Sequence, residues 1–286
     1  MKYFISLDME GIAGLASWSE TAGEQRELMT GETCAAIDGI RSADPAATFL
    51  VADSHSRGQN LLLDKLPQDI QVVRGYPRLL YMVEGSDSTC DAAVFVGYHA
   101  PIGTLHGSMD HTYSASAIYE VQVNGHAVGE TEINMILLAH LDIPFIFGSG
   151  DDQYCAFSQQ FFPHATFVTT KWGCGRYAQR TLMPEAARAL IRSRAAGAAH
   201  HLIVDGRLNL AGQQLQGTLQ QEVLAKFPST WIVRFTTTSA CDIADWIPGS
   251  HRSGGREISF TSSDPVELYR FLMSCTVAGR YDRDLR

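Results

Sequence analysis

The sequence predicts an α/β protein: an open, mostly parallel sheet flanked by helices, with a smaller C-terminal α+β part. Three observations carry this. The segments 3–7, 48–52 and 92–96 are short, strongly apolar runs bounded by turn residues, as buried strands are, and helix-patterned stretches lie between them. Each run empties into residues able to hold a cation, namely Asp8 with Glu10, then His55, then His99. Past residue 205 the alternation stops and a β-rich run, a short helix, a strand and an amphipathic helix follow. The expected division is therefore 1–205 for a metal-binding catalytic α/β part and 206–286 for the α+β part.

In order, the first strand ends in Asp8 and Glu10, two carboxylates at i and i+2. In extended chain that spacing turns both to one face. Residues 21–40 read as a helix, with Leu28, Cys34, Ala35 and Ile37 apolar among charged neighbours, and Asp44-Pro45 closes it. After the second strand, residues 60–66 read as a short helix, 70–73 as a strand and 77–83 as a helical stretch stopped by Gly85. The third strand leads to His99, and 100–116, with His106 and His111, reads as a loop over the sheet ends. Residues 118–123 and 126–128 form a hairpin about Asn124-Gly125, a pair suited to positive φ. Glu130 opens a helix, where an acid can simply satisfy the helix dipole. Strands are expected at 144–148, followed by Gly150-Asp151-Asp152, and at 165–170, ending in Lys171. A helix starts at Pro184 and runs to about His200, and 208–219 is weakly patterned linker. Residues 230–236, 239–246, 257–261 and 265–277 then read as strand, helix, strand and helix, with Gly254-Gly255 a turn.

The chain's 286 residues, 45% hydrophobic and 19% charged, suffice for a substantial core. A formal net charge of -9 gives no general attraction to nucleic acid or to an anionic membrane. Lys2 is followed by only five residues before Asp8, too short an apolar core for a secretion signal, and no later run would span a bilayer. Cysteines 34, 90, 155, 174, 241 and 275 show no paired spacing, so the expectation is a reduced, cytoplasmic protein.

In open α/β sheets the ligand crevice lies beyond the carboxyl ends of the strands, where Asp8, Glu10, His55 and His99 can converge. With Glu130 they make a mixed nitrogen and oxygen set that suits zinc, manganese or cobalt and argues against calcium or a closed thiolate site. Five donors exceed the needs of one tetrahedral ion with an open position. Two ions bridged by Asp8 account for the surplus and supply the chemistry of hydrolysis. His111, beside Asp110, is the candidate proton shuttle or nucleophile. His140, His164, His200, His201 and His251 read as surface or core residues, and His106 and His126 stay unassigned. The crevice set is rich in acids, with Lys171 its one evident cation. That favours an N-terminal ammonium over a phosphate as the group bound.

Ser6-Leu7-Asp8-Met9-Glu10-Gly11, Asp53-Ser54-His55-Ser56, Met82-Val83-Glu84-Gly85, Gly97-Tyr98-His99-Ala100, the His111 loop, Val128-Gly129-Glu130 with Asn134, and Gly150-Asp151-Asp152 occur in this order. Together they resemble the M55 metallopeptidases, the D-aminopeptidases of dipeptide-transport operons. The match thins after Lys171 and returns around Ala244–Gly249. The resemblance implies an aminopeptidase with two zinc ions per chain that releases N-terminal D-amino acids from short peptides or amides. It also implies a ring-like homodecamer with enclosed active sites. The zinc ligands would be Asp8, Glu10, His55, His99 and Glu130, and His111 would match the proposed catalytic nucleophile. The rival readings are a phosphoesterase or amidohydrolase with the same metal pair, and a metal-dependent small-molecule binding protein without turnover.

Overall fold

The computed structural model describes residues 1–20 and 22–284. Thr21, the expected first residue of the first helix, lies outside the described residues. The strands are β1 Lys2–Leu7, β2 Thr48–Asp53, β3 Gln71–Val73, β4 Ala92–Tyr98, β5 Ile118–Val123, β6 His126–Ala127, β7 Phe145–Asp151, β8 Thr166–Gly175, β9 Ala178–Thr181, β10 Ser229–Phe235, β11 His251–Arg252 and β12 Glu257–Ser262. The helices are α1 Ala22–Ala43, α2 Glu130–His140, α3 Asp152–Phe161, α4 Pro184–Asp205, α5 Arg207–Gln214, α6 Thr218–Gln220, α7 Thr238–Ala244 and α8 Pro265–Asp284.

One sheet has the order β3-β2-β1-β4-β7-β8-β9, parallel throughout except for the β8–β9 hairpin at its edge. Its strands read as continuous apolar runs because both faces are covered. Tyr3, Ile5 and Leu7 of β1 turn to a cluster that includes Ile37 and Ile40 of α1 and Ile191 and Ala195 of α4. Phe4 turns the other way, to the cluster of Ile133 and Ile136 from α2 and Tyr154 from α3. Period-two alternation thus sorts β1 between two cores. Each fully buried large side chain contributes about 1.5–3 kcal/mol. α1 and α4 meet closely at Gly39, where a Cβ would stand 2.2 Å from the Arg192 carbonyl oxygen.

The second sheet, β11-β12-β10-β5-β6, is antiparallel and combines residues 118–127 with residues 229–262. Trp231, Val233 and Phe235 of β10 and Leu268, Phe271 and Leu272 of α8 extend the same cluster that covers one face of the first sheet. The expected Asn124-Gly125 turn is present, with φ of 51° and 89°. Among the described residues, no helix is long and apolar enough to cross a membrane.

Several expectations are corrected. Residues 60–66 and 77–83 form only 3-10 turns, Leu63–Lys65 and Tyr81–Val83. The first stretch is diverted from helix because the Asp53 carboxylate takes the amides of Asn60 at 2.6 Å and Leu61 at 2.9 Å. The 208–219 linker is largely helical as α5 and α6, and α3 and β9 are additional elements. Asp151 starts α3 by capping it, its Oδ1 accepting from the amides of Gln153 and Tyr154.

The register aligns the crevice. Leu7 lies level with Asp53 on one side and Val96 on the other. The chain leaves β1 toward β2 and β3 and returns to pair β4 on β1's opposite edge, so the order reverses beside β1. Ligand crevices open at such reversals.

Candidate metal centre

Two glycines let the strand ends close on each other. At Gly11 a Cβ would stand 1.7 Å from the Tyr98 carbonyl oxygen, and at Gly97, φ 77°, it would stand 2.3 Å from that of Asp8. Main chain therefore meets main chain where the two acids just past β1 face His99, just past β4. Asp151 fixes the same loop from the other side, its Oδ2 accepting from the Ala100 amide at 2.8 Å.

Asp8 sits between two imidazoles. Its Oδ1 is 3.4 Å from His55 Nδ1 and its Oδ2 is 3.2 Å from His99 Nε2. Glu10 Oε2 lies 2.9 Å from His55 Nδ1, and Glu130 Oε1 lies 3.5 Å from His99 Nε2. Two triads of close donors result, Asp8 with Glu10 and His55, and Asp8 with His99 and Glu130, sharing Asp8. All five expected ligand residues are brought together.

A cation fits these donors on two counts. Asp8 Oδ2 and His99 Nε2 are buried and make no hydrogen bond, although they face each other. Leaving such atoms without a partner costs about 1–3 kcal/mol each. Two atoms each about 2.0–2.2 Å from one tetrahedral zinc lie roughly 3.3–3.6 Å apart; the 3.2, 3.4 and 3.5 Å separations lie close to that spacing, while Glu10 and His55, at 2.9 Å, stand at direct hydrogen-bond distance. The ring orientation agrees as well, since His99 Nδ1 donates to the Ala100 carbonyl at 2.9 Å and leaves Nε2 as the nitrogen turned to the acids.

The electrostatics hold Glu10 and Glu130 ionised. Burial pushes the Glu10 carboxyl up, but the imidazoles of His55, His111 and His99 outweigh it and keep it well below the usual range. Glu130 is likewise raised by burial and lowered further by His99, His111 and the Tyr113 amide, with a net fall. The imidazoles show the converse: burial disfavours charge on His55 and His99, and the facing carboxylates raise both well above the ordinary value.

His111 stands at the edge of this cluster. Its ring stacks on His99 with centroids 4.0 Å apart, Nδ1 is 2.9 Å from the Met109 carbonyl, and Nε2 is 3.8 Å from Glu130 Oε1. With Glu10 and His99 it also forms a third set of close donors. Trp18 meets the His111 ring edge-on and donates from Nε1 to Glu10 Oε1 at 2.6 Å. Asp8, Glu10, His55, His111, Glu130 and Trp18 line a hollow of about 510 Å3 that also takes in Tyr81, Arg176 and Arg280. Below it, the Asn134 side chain donates to the Tyr98 hydroxyl and accepts from the hydroxyls of Tyr113 and Tyr269.

The family model for M55 peptidases, described as D-aminopeptidase, matches residues 1–274. The chain belongs to the M55 peptidase family. As a member it is a metal-dependent aminopeptidase, a hydrolase. A D-aminopeptidase of Bacillus subtilis (strain 168) is 28% identical over 286 residues, covering 96% of this chain and 97% of its own. The solved structure of the zinc-dependent D-aminopeptidase DppA from Bacillus subtilis, described as a self-compartmentalizing protease, has the same fold. It matches with a TM-score of 0.85 at 26% identity, covering 98% of each chain.

Within this M55 scaffold some site features were invisible in the sequence. Trp18 and Arg280 sit in no motif, and Arg176 follows a strand that was expected to stop earlier. Lys171, expected as the crevice cation, is buried behind the site and does not line the hollow. Its ammonium donates to the carbonyls of Glu10 and Leu15, and burial pulls it down to about 8. His106 and His126 also lie off the hollow: the first is exposed and the second pairs with Glu222 at 2.7 Å. A separate hollow of about 240 Å3 includes His164 and His201 and none of the donors.

Proposed function

We propose that this chain is a two-zinc aminopeptidase that releases N-terminal D-amino acids from short peptides or amides. The observation that carries this reading is the pair of donor triads sharing Asp8, buried but for the half-buried His55. Glu10 and His55 would hold one zinc, His99 and Glu130 the other, and Asp8 both. Zinc bound there supplies Lewis acidity, which polarises a scissile carbonyl and acidifies water toward neutral pH.

The protein's own groups do the rest. His111, with Nδ1 directed to a backbone carbonyl and Nε2 toward Glu130, is the group that takes up a proton and returns it to the departing amine. Trp18 orients Glu10 and shields the edge of His111 from solvent. A phosphoester substrate would call for several free cations. Of the two guanidiniums at the hollow, Arg176 is already paired with Asp110 at 3.2 Å. The similarity to a self-compartmentalizing protease supports a ring-like assembly, a homodecamer, with enclosed sites. Six free thiols support a reducing, cytoplasmic setting.

The test is a paired assay on metal-stripped protein reloaded with zinc, using D- and L-alanyl amides and dipeptides, with His111→Gln alongside. Expected are about two zinc ions per chain, loss of hydrolysis on stripping and recovery on reloading, and preference for the D-substrates. His111→Gln is expected to lose roughly 10²–10⁴-fold in rate with its zinc count unchanged. Full activity in the stripped protein would end the metal reading, and equal rates on both enantiomers would end the stereochemical one.

A further inference from the structure

The hollow holds a charge that the hydrolytic chemistry does not use. Of its two arginines, Arg176 is already engaged: it pairs with the Asp110 carboxylate, donates to the Asp110 carbonyl at 2.8 Å, and lies over the rings of Trp18 and Tyr177. Arg280 has no carboxylate partner among the described residues, and its contact is the face of Tyr76, 5.3 Å from its centroid. A guanidinium held against a ring keeps its planar fork of donors free for an incoming carboxylate.

The fold delivers Arg280 to that wall. One residue earlier, a Cβ at Gly279 would stand 2.3 Å from the Ala117 Cβ, so α8 lies directly against the loop before β5. Tyr269 of the same helix is tied to Tyr113 and Asn134 beneath the donors. The Tyr81 hydroxyl, also at the hollow, feels the charges of Glu130 and Asp8 as well as that of Arg280. The cavity thus carries the acidic donor cluster and an unneutralised cation. Its volume of about 510 Å3 corresponds to roughly 10 Å across, and an extended peptide of two or three residues spans about 7–11 Å.

Resting on the aminopeptidase reading, we propose that Arg280 receives the C-terminal carboxylate of the substrate, so that this enzyme favours di- and tripeptides with a free C-terminus over amidated or longer ones. Arg280 acts here as a specificity-determining residue and takes no part in bond cleavage.

The test compares zinc-loaded wild type, Arg280→Met and Arg280→Lys on D-alanyl-glycine and D-alanyl-glycinamide. Expected is a wild-type preference for the free acid, lodged mainly in KM, that Arg280→Met reduces roughly 10- to 100-fold and Arg280→Lys partly restores. Equal loss on both substrates, or no change in their ratio, would overturn the assignment. A C-terminally amidated D-alanyl-glutamate separates the two sources of carboxylate, and cleavage of it as efficient as that of the free acid would move the role from the terminus to an acidic side chain. Calorimetric binding of the same ligands is read independently of turnover. If the wild type hydrolysed none of them, the aminopeptidase reading would fall. Equal binding of free acid and amide would then still refute the carboxylate site.

Discussion

Two groups of buried charges lie close together around the end of β1, and they are finished differently. Behind the crevice, Asp151 has both oxygens bonded to backbone amides, Glu132 has both bonded to Ser158 and Gly129, and Lys171 donates to two carbonyls. In the crevice, donor atoms of Asp8 and His99 face each other unbonded. Glu32 falls between these cases. Its Oε1 takes the Ala13 amide at 2.8 Å, its Oε2 has no partner, and burial pushes its carboxyl up to about 7. A buried acid facing imidazoles is held ionised and ready for a cation, whereas at Glu32, with its spare oxygen, burial outweighs the pull of Lys171 and Arg188 and the proton is held to higher pH. Spare valence alone does not mark a metal site; spare valence converging from several strand ends does.

The sharpest way to break this contrast is Asp8→Asn. It removes the shared carboxylate, so zinc content is expected to fall from the proposed two per chain. The rate should fall by more than the roughly 10²–10⁴-fold that one proton-transfer residue is worth. Retained zinc, measured by elemental analysis, would return Asp8 to the saturated group.

Lys171→Met tests the other side. It leaves the carbonyl of Glu10 without its donor, while that of Leu15 keeps Gln179 Nε2, at about 1–3 kcal/mol of stability, read as the urea midpoint. It should also weaken zinc binding by about 10- to 100-fold, because the Glu10 turn is no longer held. Unchanged zinc affinity in a destabilised protein would make Lys171 purely a packing element.

The smallest effect belongs to Glu32→Gln. The folded carboxyl titrates near 7 against an ordinary value of 4.5, so between those limits the folded state holds a proton that the unfolded chain releases. The stability from this group is fully present below about 4.5, is lost as pH rises toward 7, and amounts in all to about 3 kcal/mol. Glu32→Gln should therefore match wild type near pH 4 and exceed it near pH 8 by about 1–3 kcal/mol. Parallel stability curves across that range would mean Glu32 is solvated in the folded protein.

The donors were legible because the strands feeding them are unbroken apolar runs, and the residue after such a run in a parallel sheet has few places to go. Glu130 was harder to read, since an acid in the first turn of a helix is ordinary. Only the 3.5 Å approach of His99 distinguishes it. Lys171 was misread because a sequence shows which strand end a lysine occupies but not whether backbone carbonyls will capture it there. α3 had a readable signal, Tyr154, Phe157 and Phe161 at helical spacing behind the cap Asp151. Arg280 carried no signal at all. Its position comes from a helix packing through Gly279 onto a loop more than 150 residues earlier in the chain.

The abutment at Gly11 has a practical consequence. Because peptide units touch there without intervening side chains, the spacing between the ends of β1 and β4 is set by backbone contact that substitutions at Asp8, Glu10 or His99 leave alone. An engineer exchanging ligating atoms to change which transition metal is preferred would be working on fixed posts.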